Sequence, residues 1–192
     1  MPRPREFEPR EALEHAVGLF WKKGFGASID EVVASTGASR HSLYGLFGSK
    51  RELYLHALER YWADRQADMF LPLKRQGAGL KAIRATFDGV LQFASTHPDA
   101  RGCLVCDAAV EVAPHDPEVQ AKVREIFGQL TALFRAALER AVDLGELKGQ
   151  QDLDALAAYL TTVFQSLAFM YRSGYSHEAL AQHVKMALRV LQ

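Results

Sequence analysis

The stretch Ser28–Leu53, SIDEVVASTGASRHSLYGLFGSKREL, decides how this chain is read. Ser28 followed by Glu31 three residues on is a capping box, so a helix opens there, and Ile29, Val32 and Val33 give it an apolar face. Thr36-Gly37-Ala38 breaks it, because Gly37 accepts the positive φ that a sharp reversal demands. Ser39 caps a second short helix with Leu43, Leu46 and Phe47 inward. Ser49 with Glu52 forms a second capping box and opens a third helix. Two short helices across a glycine turn, capped at both ends, are the pattern of a helix-turn-helix, whose second helix enters the DNA major groove.

Upstream, residues 8–23 place Leu13, Ala16, Val17, Phe20 and Trp21 on one helical face, with Lys22 and Lys23 in the last turn and Gly24 as the stop. Residues 1–7 read as a Pro- and Arg-rich arm. Downstream, a helix from Lys50 to near Gln76 is expected to kink or end at Pro72, and Gly77-Ala78-Gly79 is a linker. Helices follow over about 80–96, 102–112, 117–144, 152–171 and 176–191. The clearest start is Asp116-Pro117-Glu118, an N-cap, a first-position proline and an acid at the positive end of the dipole. No alternating strand pattern or repeat occurs, so the fold class is all-α, with a three-helix head over 1–50 and a helical body over 51–192.

Composition narrows the function less. Apolar residues make up 48% and charged residues 24%, and Lys+Arg balance Asp+Glu at 23 each, so net charge selects no partner. Residues 1–51 carry eight basic and six acidic side chains, a weak asymmetry of the sign DNA binding requires. No apolar run is expected to span a bilayer, and the N-terminus lacks a signal-peptide core, which points to the cytoplasm and to two reduced cysteines. No glycine-rich phosphate loop, nucleophile elbow, HExxH or carboxylate pair argues for an enzyme, and no cofactor is expected. A helical adaptor that binds only protein is the alternative from another class.

In a helix-turn-helix the early residues of the second helix meet base edges. Here these are Ser39, Arg40, His41 and Tyr44. Arg40 can give two hydrogen bonds to guanine O6 and N7, and His41 can read a base edge or a phosphate. Ser28, Tyr44 and Lys50 are placed for phosphates, Lys50 in a first turn whose free N–H groups already favour an anion.

Residues 8–55 resemble the TetR family of transcriptional repressors, through Gly24-Phe25, Gly37-Ala38-Ser39, Leu43-Tyr44, Phe47, Ser49-Lys50 and Leu53. The family pattern usually has His where this chain has Leu46, which removes one backbone-holding contact. Gly45 inside the recognition helix costs about 1 kcal/mol relative to alanine. The resemblance implies a homodimer on a palindromic operator, with half-sites about 34–36 Å apart or a multiple, and release by a small-molecule inducer bound in the body. It further implies a dimer bundle from two long helices, by order 117–144 and 152–171, whose apolar stripes look wider than a monomer core needs. The aromatic residues named for the inducer pocket are Tyr61, Trp62, Phe87, Phe93, Phe127 and Phe169.

Cys103-x-x-Cys106 leaves three readings open. The thiols are small buried hydrophobes, or a sensor in which Arg101 and a helix N-terminus lower the pKa of Cys103, or metal ligands together with His97 or His115.

Overall fold

The computed structural model describes residues 8–97, 102–147 and 151–192, all helical or connecting segments. In chain order the helices are α1 (Pro9–Lys23), α2 (Ile29–Thr36), α3 (Arg40–Phe47), α4 (Lys50–Ala67), α5 (Leu71–Lys74), α6 (Leu80–Thr96), α7 (Leu104–Glu111), α8 (Pro117–Asp143), α9 (Leu153–Arg172) and α10 (His177–Ala187), with a 3-10 turn over Leu188–Leu191. The N-terminal arm, Arg101 and residues 148–150 lie outside the described residues.

The starts and stops are where local chemistry places them. Ser28 and Ser49 each accept from the backbone N–H three residues on, while Glu31 and Glu52 return the bond to the serine N–H at 2.7 Å. Gly37 sits in the left-handed region at φ 67° and closes α2 on Val33 O. Gly24, at φ 71°, ends α1, and a Cβ there would lie 2.4 Å from a Glu111 carboxylate oxygen of α7. The positive φ is what favours glycine here, whereas the Glu111 side chain could shift.

Pro72 acts earlier than the sequence suggests. Its ring would collide with the carbonyl four residues back, so α4 ends at Ala67, and Pro72 takes the second position of the separate short helix α5. Leu46 departs too. Expected inward, it stands 37% exposed on α3, while Leu43 alone is fully buried there. α3 passes through Gly45 as regular helix, and nothing within 4 Å would meet a Cβ at that position. The expected helix over 102–112 begins at Leu104, with Cys103 as its N-cap.

One buried core runs from Ala12 to Leu191. Head and body share it through α4, whose Tyr54 is fully buried and meets Phe20 of α1 edge-on at 5.0 Å. The body packs α8 against α9, with α6, α7 and α5 around them. Here the structure corrects the argument from stripe width. The α8 residues Val119, Val123, Ile126, Leu130, Phe134, Ala137, Leu138 and Ala141 are all buried within the single chain. Large apolar side chains left exposed include Tyr159 and Phe169 on α9 and Met186 and Val190 near the C-terminus, besides single ones elsewhere in the body such as Leu71, Val110 and Leu144. α9 also exceeds the expectation about apolar runs, being long and apolar enough to cross a membrane by length and composition. A third of it is buried against the body, and its outer side carries the stripe just described.

Candidate nucleic-acid interface and effector cavity

The two candidate sites are built on opposite ends of α4. At its N-terminal end, α3 turns Arg40, His41, Tyr44 and Gly45 outward together, with Ser39 at its start. The Ser39 hydroxyl accepts from Ser42 N–H at 3.0 Å, so it caps the helix and pre-orders the residues that follow. Arg40 reaches back to Asp30 in the first turn of α2, Nη2 to Oδ1 at 2.5 Å. Both side chains are largely in water, so this pair holds little energy and can be exchanged for another acceptor.

Ser28 and Lys50 flank the same surface. Ser28 spends its acceptor on capping α2 and keeps its hydroxyl proton to donate. The Lys50 ammonium stands 4.4 Å above the Phe25 ring, and its burial there pulls its pKa below the ordinary lysine value. Lys23 pairs with Glu31, which together with Ser28 holds the Glu31 carboxyl down to about 2.

Three contacts tie the head and the first turn of α4 to the rest of the body. Arg51 grips Asp116, the N-cap of α8, with both nitrogens, the longer bond being Nη2 to Oδ1 at 2.8 Å. That guanidinium, helped by the Val119 and Glu118 N–H groups, holds the Asp116 carboxyl near 2. Phe25 N–H donates to Glu111 of α7 at 3.3 Å. Trp21 of α1 donates its indole N–H to Gly102 O at 3.1 Å and packs against Phe93 and Tyr61, with centroids at 6.2 and 5.9 Å.

The third contact abuts a partly open cavity of about 80 Å³ lined by residues of α4, α6, α7, α8 and α9, with Leu180 of α10. Tyr61, Trp62, Phe93 and Phe127 line it, together with Val90, Leu91, Ile126, Leu130 and Phe164. Two of the six aromatic residues named from sequence stand elsewhere. Phe87 is fully buried between Phe134 and Phe164 and is not part of the wall. Phe169 is 70% exposed on the outer side of α9. Sequence reasoning missed Arg65, Gln165, Tyr171 and Gly102, all in the wall. Arg65 had a signal. It follows Leu58, Tyr61 and Trp62 at helical spacing, a cation at a core-facing position.

Both cysteines line the cavity. A hydrogen bond from the Cys106 thiol, then the Cys106 N–H at the start of α7 and the Tyr61 hydroxyl, hold the Cys103 thiol below the ordinary cysteine range. The same arrangement pushes Cys106 up, so the proton stays on Cys106. Backbone N–H groups at the start of α7 thus add to the thiol–thiol bond, Tyr61 adds a donor that the sequence did not reveal, and Arg101 lies outside the described residues. Among the described residues no three His, Cys, Asp or Glu side chains converge as a metal site.

A capped helix-turn-helix on a helical body with an internal cavity defines a class of DNA-binding regulators, and comparison with known proteins agrees. The profile for "Bacterial regulatory proteins, tetR family" matches residues 12–57, and that for "Tetracyclin repressor-like, C-terminal domain" matches 79–187. The HTH-type transcriptional regulator YezE of Bacillus subtilis (strain 168) is 33% identical over 100% of both chains. The HTH-type transcriptional repressor ComR of Escherichia coli (strain K12) is 25% identical over 98% of this chain and 90% of its own. Among solved structures, a cysteine-substituted form of the TetR-family regulator CifR, complexed with 26-base-pair operator DNA, aligns at a TM-score of 0.88. It is 28% identical over 97% of this chain and 98% of its own. The chain belongs to the TetR family of helix-turn-helix transcriptional regulators.

Proposed function

We propose that the protein is a cytoplasmic homodimeric repressor that binds a palindromic operator through α3 and is released when a small molecule enters the body cavity. The observation that carries this reading is Trp21. A residue of the head rests on Phe93, Tyr61 and Gly102, all wall residues of the cavity, so a ligand that displaces the wall displaces the head. The cavity is smaller than the roughly 150 Å³ apolar cavity that takes up benzene. A ligand of that size must push the wall outward, and it then favours whichever head spacing accommodates the wider cavity. The operator complex of CifR supports the DNA partner. In that role Ser39 and Arg40 meet base edges, His41 a base or phosphate, and Ser28, Tyr44 and Lys50 hold the backbone. The two-fold face is the exposed stripe of α9 with α10, since the α8 stripe is used inside the chain.

A gel shift with DNA flanking the protein's own gene tests this. Wild type binds in a sequence-selective, salt-sensitive manner. Arg40→Ala loses a bidentate base contact, a loss of roughly tenfold to a hundredfold in affinity for each head. Selective binding that is equal in wild type and Arg40→Ala removes Arg40 as the reader. Absence of selective binding by wild type sinks the repressor reading.

A second reading has its own observation, the lowered pKa of Cys103 within the cavity wall. The thiolate is the reactive form, so an oxidant or electrophile that enters the cavity meets a primed nucleophile. Modification would then take the place of reversible ligand binding as the trigger. Peroxide or a quinone is expected to release wild-type protein from its operator and to leave Cys103→Ser bound. Equal release of both would remove Cys103 as the sensor.

A further inference from the structure

Arg65 is the cavity's anomaly. It lies in the last turn of α4, with its guanidinium 5.4 Å from the Tyr61 ring centroid and 5.7 Å from that of Phe93. Its Nε is buried and has no hydrogen-bond partner. Among the described residues no carboxylate lines the cavity. The side chain as a whole is half-buried, and Nε is the nitrogen shut off from water. Two aromatic faces compensate part of the desolvation, but they offer no acceptor to the N–H groups.

The group that completes this site is an anion with two coplanar oxygens, because the guanidinium fork matches it with two parallel charge-assisted bonds. The rest of the wall selects among anions. Beyond Arg65 it is mostly apolar, with Ile126, Phe127, Leu130 and Phe164 on the side away from α4, and its other polar groups are Gln165, the Tyr61 and Tyr171 hydroxyls and the two thiols. A phosphate would bring more charge and more acceptors than one guanidinium can satisfy. A carboxylate brings one charge and leaves the remainder of the ligand free to be hydrocarbon. The small volume favours a short chain or a single ring, which widens the wall least.

The geometry points to a small organic monocarboxylate as the ligand of this cavity, its carboxylate held by Arg65 and its apolar body packed against Phe127 and Phe164. This rests on the reading of the cavity as an effector site. It also gives that reading a local cause. The rings that now carry the guanidinium, Tyr61 and Phe93, are the rings on which Trp21 of the head rests. An anion that draws Arg65 off these faces alters the seat of Trp21.

Titration of the full-length protein with benzoate, phenylacetate and butyrate, each beside its neutral amide, and with inorganic phosphate tests the assignment. Tryptophan fluorescence is a direct readout, since Trp62 lines the cavity and Trp21 abuts it. At least one carboxylate is expected to bind saturably and roughly tenfold or more tighter than its amide. Arg65→Gln is expected to abolish that preference while the amide binds as before. Arg65→Lys, a charge without the planar fork, is expected to restore only part of it. No carboxylate preferred over its amide, preference for phosphate, or a preference that survives in a folded Arg65→Gln variant would each overturn the assignment. The wild-type comparison stands even if the variants fold poorly. Operator release separates the two readings. Arg65-dependent carboxylate binding without release sustains the ligand class and sinks the effector reading, whereas release by uncharged ligands alone does the reverse.

Discussion

Phe87→Ala is expected to lower the folding free energy by about 3–5 kcal/mol, the range for emptying a large aromatic side chain from a core. The site has little capacity to collapse. Phe87 is fully buried in α6, stacks on Phe134 of α8 at 5.8 Å, and meets Phe164 of α9 at 5.7 Å and 65°. Phe164 is itself braced by Phe70 at 5.1 Å. Three helices therefore converge on the vacated ring, and each is held by contacts outside the cluster. For a chain of this size each kcal/mol shifts the melting midpoint by roughly 2–4 °C, so thermal unfolding followed by circular dichroism should show a large drop. Wild type and variant must be compared at one protein concentration, because association stabilises the folded form. A loss below about 1 kcal/mol would show that Phe134 and Phe164 close over the space, contrary to the usual cavity penalty.

The fate of Phe87 shows what the sequence could and could not convey. Helix starts were legible because a cap is a local event. Ser28, Ser39, Ser49, Asp116, Asp152 and Ser176 each bond a backbone N–H two or three residues away, and no distant residue is needed to make that so. The head was legible for the same reason, being almost entirely caps, a glycine turn and short spacing. The cavity was not. Phe87 and Phe93, both named from sequence for the pocket, lie on one helix, yet one meets α8 and α9 in the core while the other faces the cavity and Trp21. Which of the two borders empty space depends on where helices diverge, and periodicity carries no information about that. The stripe on α8 makes the same point. Its width was visible, but that the single chain would cover it depended on α6, α7 and α9 packing around it. Arg65 was passed over because a charge on a helix ordinarily reads as solvated. Only its register with Tyr61 and Trp62 marks it as facing inward.

Phe169→Asp is expected to split the proposed dimer and to cost the operator complex about two to four orders of magnitude in affinity. Between Asp154 and Arg172, α9 carries no charged residue. Ala155, Ala158, Tyr159, Thr162 and Phe169 all lie on its exposed side, and Met186 of α10 is 61% exposed. A chargeless stripe of this kind, flanked by the polar Ser166–His183 bond between the two helices, suits a partner helix better than water. In a two-fold interface the substitution enters twice, so two unpaired carboxylates would be buried against apolar surface. The monomer should tolerate it, because Phe169 contributes little to the chain's own core at 70% exposure. Helical circular dichroism should therefore be retained while light scattering reports half the wild-type mass. The DNA consequence follows from linkage. Two joined heads bind their half-sites with the second event made intramolecular, and a lone head loses that advantage although its own α3 is untouched. A variant that stays dimeric and keeps wild-type operator affinity would move the interface away from this face of α9. A variant that is monomeric but still binds the full operator tightly would show that the two heads do not act as a pair.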